Sequence, residues 1–167
     1  MDPATKKTAL RMIPYGIYVL TAKGADGTIS ASTVNWVTQT SFAPPLIAVG
    51  VKADSGAHAA IKSGGRFALN MLGKGQQGVA FAFFKPAEVE DGKISGEPFR
   101  PGDNGAPIID CAHAAVECTV MQIVELGDHH VVVGEVTQAH LARHPEGRPD
   151  AAILEMKDLG ENVFYGG

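Results

Sequence analysis

The 167-residue sequence has only two cysteines, and their spacing matches neither a zinc site nor a C-x-x-C redox motif. Cys111 and Cys118 are therefore predicted to be reduced cytosolic thiols. No apolar run reaches the roughly 20 residues of a membrane-spanning helix, and the first segment, MDPATKK, lacks the apolar core of a signal peptide. We expect a cytoplasmic protein with no membrane partner.

Charged residues are scarce, at 19% of the chain, and the formal net charge is -4. A nucleic-acid partner is therefore not expected, because binding phosphate backbones needs a basic surface. The sequence contains no G-x-S-x-G motif, so nucleophilic hydrolysis has no support. The apolar fraction of 45% is that of an ordinary globular protein, and the length predicts one domain over residues 1–167.

Twenty glycines and ten prolines are abundant for this length and indicate many short strands joined by turns. Asp26-Gly27 lies between two β-rich runs and predicts a hairpin, and Gly127-Asp128 joins two long β runs into an antiparallel pair. Ser55 as N-cap and Gly64-Gly65 as a stop predict a short helix. Strands dominate, which favours a small barrel over a βαβ sheet.

The remaining segments give weaker expectations. Short helices are predicted over residues 3–13 and 76–84, and one polar strand over residues 30–41, ended by Pro44-Pro45. Residues 85–107 read as a long loop of the kind that carries function or moves. The stretch AAILEM, residues 151–156, predicts a final strand or strand–turn tail.

Two motifs suggest chemistry that their surroundings do not support. GKGQQG at residues 73–78 matches the dinucleotide fingerprint G-x-G-x-x-G, but no buried second strand follows the short helix, so we predict only a glycine-rich turn. His140 and His144 have the i, i+4 spacing of metal ligands but lack the glutamate of H-E-x-x-H, which favours a solvated pair near a loop. His129 and His130 point to opposite faces of a strand and cannot share a metal. No metal is expected.

The segment SASTVNWVTQTS, residues 30–41, is polar, uncharged and strand-like. A threonine-rich edge strand would explain Thr38, Thr40 and Ser41. A flat heteroaromatic ligand explains the central Asn35-Trp36 pair better, because ring carbonyls and nitrogens need neutral donors and acceptors. Both interpretations remain open on the residues alone.

Four stretches of the chain carry a resemblance: STVNWVTQTSFAPPL, VKADSGAHAAIKSGGRFALNML, APIIDCAHAAVEC and GDHHVVVGEV. Together, and in this order, they resemble the flavin reductase-like family of FMN-binding split-barrel proteins, which includes NAD(P)H:flavin reductases and flavoredoxins. The resemblance implies a mainly β fold, a split β-barrel of Greek-key type with a few short helices. It also implies bound FMN, NAD(P)H as a transient co-substrate, and a homodimer with the flavin at the subunit interface.

The resemblance assigns much of the polar segment to the flavin. The residues expected along the isoalloxazine ring are Thr33, Val34, Asn35 and Trp36, and Ser32 is also expected to bind the cofactor. Those expected nearer the ribityl and phosphate end are Thr38 and Ser41.

The phosphate is expected just downstream, at the start of the predicted short helix, where backbone N–H groups favour anions. Lys52, Ser55 and His58 would hold it, and Lys85 would approach the flavin or its phosphate. His129 matches the family's histidine on the nicotinamide side and is the one catalytic residue expected. The alternative interpretation is that His129 is an ordinary histidine of the hairpin with no catalytic role.

Three functions follow from the resemblance. The first is an FMN-dependent NAD(P)H oxidoreductase that passes electrons to free flavin, a ferric chelate or a partner protein. The second is a flavoredoxin-type electron carrier, and the third is a non-catalytic flavin-binding protein. His129 favours the first and the Asn35-Trp36 pair leans toward the second. No clamp for a 2′-phosphate is readable, so NADH and NADPH are not distinguished.

Overall fold

The computed structural model describes all 167 residues, with 43% in strands and 19% in helices. The strands are β1 (Tyr18–Lys23), β2 (Ile29–Val34), β3 (Val37–Phe42), β4 (Pro45–Lys52), β5 (Arg66–Met71), β6 (Val89–Glu90), β7 (Lys93–Ile94), β8 (Glu97–Pro101), β9 (Pro107–Ile109), β10 (Ala114–Val124) and β11 (His129–Leu141). The helices are α1 (Pro3–Arg11), α2 (Gly56–Gly64), α3 (Gln77–Ala82) and α4 (Pro149–Ala152), followed by a 3₁₀ turn at Met156–Leu159. None of the helices has both the length and the apolar character needed to span a membrane.

Seven strands form one antiparallel sheet in the order β2-β1-β5-β10-β11-β4-β3. Its two edge strands, β2 and β3, are consecutive in the chain and are joined only by Asn35 and Trp36. The sheet must therefore curl until its two edges meet at this corner. The Gly50 N–H donates to the Trp36 carbonyl at 2.8 Å and fastens β4 there. The predicted mainly β split barrel is confirmed.

The two faces of the sheet carry separate apolar cores. Leu20, Phe67 and Val132 belong to the cluster inside the curled sheet. Val19, the neighbour of Leu20, belongs to an outer cluster that includes Phe83 of the α3 end. Because successive side chains of a strand point to opposite faces, one strand supplies both cores.

A buried polar network ties the outer segment to the sheet. The Asn70 amide donates to the Val19 carbonyl at 3.0 Å, and its oxygen accepts from the Ile109 N–H at 2.9 Å. The Thr21 hydroxyl donates to the Pro107 carbonyl at 2.5 Å. These bonds satisfy buried polar groups that would otherwise be destabilising.

The strongest local predictions are confirmed. β1 and β2 form the hairpin around Asp26-Gly27, with Lys23 opposite Ile29. Helix α2 begins after Ser55, whose hydroxyl accepts from the His58 N–H at 3.1 Å, and ends at Gly64, with Gly65 as its C-cap at a φ of 67°. A left-handed residue at this position suits glycine. β10 and β11 form the predicted antiparallel pair.

Three expectations are wrong. Residues 30–41 form two strands, because the chain must pass from one sheet edge to the other at Asn35-Trp36. Residues 85–107 hold short strands, and β6, β7, β8 and β9 form a second, four-stranded sheet. The AAILEM stretch contains the end of α4, two isolated bridges and the start of the 3₁₀ turn, but no strand.

The structure excludes one of the two motifs set aside above, GKGQQG, and gives a residue of the other, His140, a buried partner. Residues 73–78 form the turn between β5 and the six-residue α3, and β5 is antiparallel to both neighbours, so the dinucleotide fingerprint is excluded as predicted. His140 is not simply solvated: its Nε2 lies 2.6 Å from the buried carboxylate of Glu117. That carboxylate also accepts the Asp103 and Asn104 N–H groups at 3.0 and 2.6 Å.

Candidate functional site

The corner between β2 and β3 places Asn35 and Trp36 side by side. Asn35 is buried, and the Trp36 side chain lies on Gly50, where an added Cβ would come within 3.1 Å of the indole. The Trp36 Nε1–H is buried and has no hydrogen-bond partner. An unpaired buried donor is rare in native proteins and points to a missing acceptor.

His129 stands beside this corner at the start of β11, opposite Lys52 of β4. Its ring meets Trp36 edge-on, with centroids 4.7 Å apart and planes inclined by 65°. The Nδ1 atom lies 3.0 Å from the Asp128 carboxylate, and this hydrogen bond lowers the pKa of Asp128. Because a carboxylate only accepts, Nδ1 is the donor in this hydrogen bond, and Nε2 is the ring nitrogen left to accept.

The C-terminal segment, residues 161–167, lies on the same corner. The Tyr165 hydroxyl lies 2.8 Å from His129 Nε2, and the Tyr165 carbonyl accepts from the Asn35 amide at 2.9 Å. An added Cβ on Gly166 would lie 3.6 Å from Trp36 Nε1. The segment thus covers the three groups of the corner that would face a ligand.

Arg11 of α1 anchors this segment from its outer side. Its Nε donates to the Gly166 carbonyl at 3.2 Å, and its guanidinium lies 4.1 Å from the centre of the Phe164 ring. Phe164 and Tyr165 remain 49% exposed, so the docking buries only half of each ring. No motif in the sequence predicts a role for this segment, and its only signal is the adjacent aromatic pair Phe164-Tyr165.

The predicted phosphate residues divide into two groups. Lys52 is exposed and its ammonium lies 3.1 Å from Asp54, a pairing that raises the pKa of Lys52. The Ser55 hydroxyl donates to the Lys52 carbonyl at 2.7 Å while capping α2, so these two lie together. The His58 ring is buried, with its Nε2 2.8 Å from His130 Nδ1, and burial lowers its pKa. In this structure the His58 imidazole is thus occupied by its contact with His130.

The other predicted flavin residues are spread along the two edge strands. The Thr33 hydroxyl donates to the Ala80 carbonyl of α3 at 2.6 Å. Ser32 and Val34 point to the opposite face, where Val34 contacts the inner core. The side chains that lie elsewhere are Thr38 and Ser41, on the outer edge strand β3, and Lys85, exposed just beyond α3.

A separate apolar concavity of about 450 Å³ opens between β3, β4 and the middle of the sheet. Eight of its eleven lining residues are hydrophobic, among them Val37, Leu46 and Val136. Phe42, at the end of β3, is 90% exposed.

The two cysteines do not contribute to the site. Burial raises the pKa of both Cys111 and Cys118 to about 12, which keeps each thiol protonated and unreactive at neutral pH. No disulfide joins them.

Comparison with known proteins identifies the family of the chain. The family model described as "Flavin reductase like domain" matches residues 10–157. The chain is similar to a flavin reductase of Pseudomonas putida, with 34% identity over 154 residues that cover 92% of this chain and 86% of that protein. It is also similar to the flavin-dependent monooxygenase reductase subunit HsaB of Mycobacterium tuberculosis, with 32% identity over 95% of this chain and 81% of the subunit.

Relatives of other lengths and solved structures extend the comparison. The chain spans 43% of a probable flavin reductase of Rhizobium meliloti, at 35% identity over 81% of this chain. Among solved structures, the NADH:FAD oxidoreductase SgcE6 of Streptomyces globisporus superposes with a TM-score of 0.71 at 29% identity. That match covers 84% of this chain and 80% of the other.

Proposed function

The chain belongs to the flavin reductase like domain family and is a flavin-reducing oxidoreductase; from this premise we propose that it binds FMN at the Asn35-Trp36 corner, takes a hydride from NAD(P)H and passes electrons to an acceptor partner. The observation that carries the proposal is the unpaired Trp36 N–H, which lies beside the amide of Asn35 and the imidazole of His129. The indole N–H and the amide are uncharged hydrogen-bonding groups of the kind that a flat polar ring requires.

The residues of the corner fit a flavin. The Trp36 N–H can donate to a ring carbonyl, and the Asn35 amide can donate once the Tyr165 carbonyl has left it. When bound, the flavin supplies the acceptor for a hydride and the store from which electrons leave. The protein then needs no nucleophile, and the two protonated thiols are consistent with that.

His129 is proposed to position the nicotinamide. Asp128 holds the proton on Nδ1, which leaves Nε2 as an acceptor for a carboxamide N–H or a hydroxyl. Tyr165 uses that acceptor in this structure. A histidine in this role favours a reductase over a carrier that takes electrons only from proteins.

Residues 161–167 are proposed to compete with the ligands. The segment engages Asn35 and His129 and covers the Trp36 N–H, so it must move before the ring can bind. Its half-exposed aromatic rings make that displacement inexpensive in free energy. The tail would therefore exclude water from the corner when no ligand is bound.

FMN is proposed over FAD because the basic groups beside the corner suit one terminal phosphate. Lys52 pairs with His129 across the strands, and the start of α2 follows it at Ser55. Asp54 would have to release Lys52 for the phosphate. The similar oxidoreductase SgcE6 is named for FAD, so both flavins belong in the test.

A partner oxygenase is the proposed acceptor, with free flavin as the carrier between the two proteins. HsaB, the similar mycobacterial protein, is named as the reductase subunit of a flavin-dependent monooxygenase. A ferric chelate is the less favoured acceptor, because no feature of the corner suits a metal chelate.

A second copy of the chain is proposed to cover the apolar concavity beside β3. Burial of Phe42 and the apolar lining would supply the driving force, and Thr38 and Ser41 on β3 would then lie near the interface. Light scattering after gel filtration should give the mass of a dimer. A monomer at micromolar concentration would contradict this part of the proposal.

The flavin and reductant are tested together by titration and turnover. Quenching of flavin fluorescence is expected to give tighter binding for FMN than for FAD. Oxidation of NADH and NADPH is then followed with each flavin. The Trp36→Phe variant keeps an aromatic side chain but removes the indole N–H donor. If this variant binds flavin with unchanged affinity, the Asn35-Trp36 corner does not bind the isoalloxazine ring.

A further inference from the structure

Two histidines meet on the side of β11 that faces away from the corner. His58 of α2 and His130 of β11 are in ring contact, with Nε2 of the first 2.8 Å from Nδ1 of the second and centroids 4.7 Å apart. Glu125, between β10 and β11, lies beside them. One ligand atom from each of the three residues lies within 4.8 Å of the other two.

These three residues provide the ligand types that zinc uses in proteins. Two imidazoles and one carboxylate form a common three-residue set, with water in the fourth position. Donor atoms around a tetrahedral zinc with bonds of about 2.0–2.1 Å lie about 3.3 Å apart. The two ring nitrogens would separate by about half an ångström from their present 2.8 Å contact.

The burial of the cluster suits a bound ion. His58 is buried and fixed on a helix, His130 is half-buried on a strand, and Glu125 is exposed enough to adjust. The Glu125 carboxylate now pairs with Lys62, one turn after His58. This is an exposed ion pair of little strength, so it is readily given up to a divalent cation.

We propose that His58, His130 and Glu125 bind one Zn²⁺ ion. The ion would join α2 to the β10–β11 hairpin. It would lie across β11 from His129, which remains outside the ligand set because neighbouring strand residues face opposite sides. The site is independent of the proposed flavin chemistry.

Calorimetric titration of ZnCl₂ into the full chain, dialysed first against EDTA, tests the proposal. We expect one ion per chain and a higher unfolding temperature when zinc is present. His130→Asn and Glu125→Gln should each weaken binding about tenfold or more, judged by the usual sensitivity of metal sites. Glu125 is exposed, so its substitution does not endanger folding. His144→Asn, an exposed histidine elsewhere, is the matched control and should bind as the unaltered chain does.

Four results would overturn the proposal. The first three are no saturable binding, several weak sites of equal affinity, and binding that His130→Asn and Glu125→Gln leave unchanged. The fourth is loss of binding in His129→Asn with retention in His130→Asn, which would place the ion at the corner. In the supporting case, ¹⁵N spectra of the imidazoles show the His58 and His130 nitrogens shifting on zinc addition.

Discussion

Removal of residues 161–167 tests whether the tail competes with the flavin. A chain ending at Gly160 loses the bonds from Asn35, His129 and Arg11 to the tail. Three such hydrogen bonds contribute about 3 kcal/mol in total, and ordering of the segment offsets part of this. A net docking free energy of about 1–2 kcal/mol then weakens apparent flavin affinity by about 5–30-fold. Truncation should therefore tighten flavin binding by that factor.

Fluorescence titration with FMN measures the change directly, and circular dichroism checks that the truncated chain is folded. Tyr165→Phe removes only the hydroxyl on His129 and should give a smaller gain than truncation. Asn162→Ala, an exposed change within the same segment, is the control and should leave affinity unaltered. Unchanged or weaker binding after truncation would show that the tail is part of the flavin site and refute the competition.

Three further predictions concern catalysis, stability and the thiols. His129→Ala should slow reduction by NAD(P)H more than it weakens FMN binding, since the imidazole is assigned to the nicotinamide. Stopped-flow mixing gives the reduction rate and flavin titration gives the affinity. A larger effect on FMN affinity than on the reduction rate would contradict the assignment. Asn70→Ala should lower the free energy of unfolding by about 2–4 kcal/mol, because it leaves the buried Val19 carbonyl and Ile109 N–H without the amide. Urea denaturation measures this free energy. A loss under about 0.5 kcal/mol would argue against a stabilising role of the network. Cys111 and Cys118 should react slowly with a thiol reagent at pH 8 in the folded protein, because the pKa of each thiol is about 12, and fully after unfolding. Rapid reaction of the folded protein would show that the thiols are not held protonated.

Local features of the sequence were sufficient for the elements that local chemistry specifies. The Asp26-Gly27 turn, the Ser55 cap and the Gly65 stop each act within a few residues, so their signals are readable. The break at Asn35-Trp36 was not readable, because a polar run suits one strand as well as two. The break is required by closure of the sheet, and closure depends on pairing between strands far apart in the chain.

The residues of the site were likewise predicted only in part. A resemblance over short motifs selected Asn35, Trp36, Lys52 and His129, which the fold brings to one corner. Tyr165 was missed because its contact with Asn35 spans 130 residues and follows no motif. The pairing of His58 with His130 was missed for the same reason, since a helix and a distant strand supply its two halves. Thr40 occupies a bulge of β3, an irregularity that the threonine-rich pattern did not indicate.

Anaerobic mixing of the full chain carrying bound FMN with NADH and, separately, with NADPH tests the central claim most directly. The account predicts that the visible absorbance band of the flavin bleaches much faster than that of free FMN under the same conditions. It also predicts that His129→Ala slows this bleaching. Bleaching no faster than that of free FMN with either dinucleotide would contradict the assignment of this corner as a site of flavin reduction.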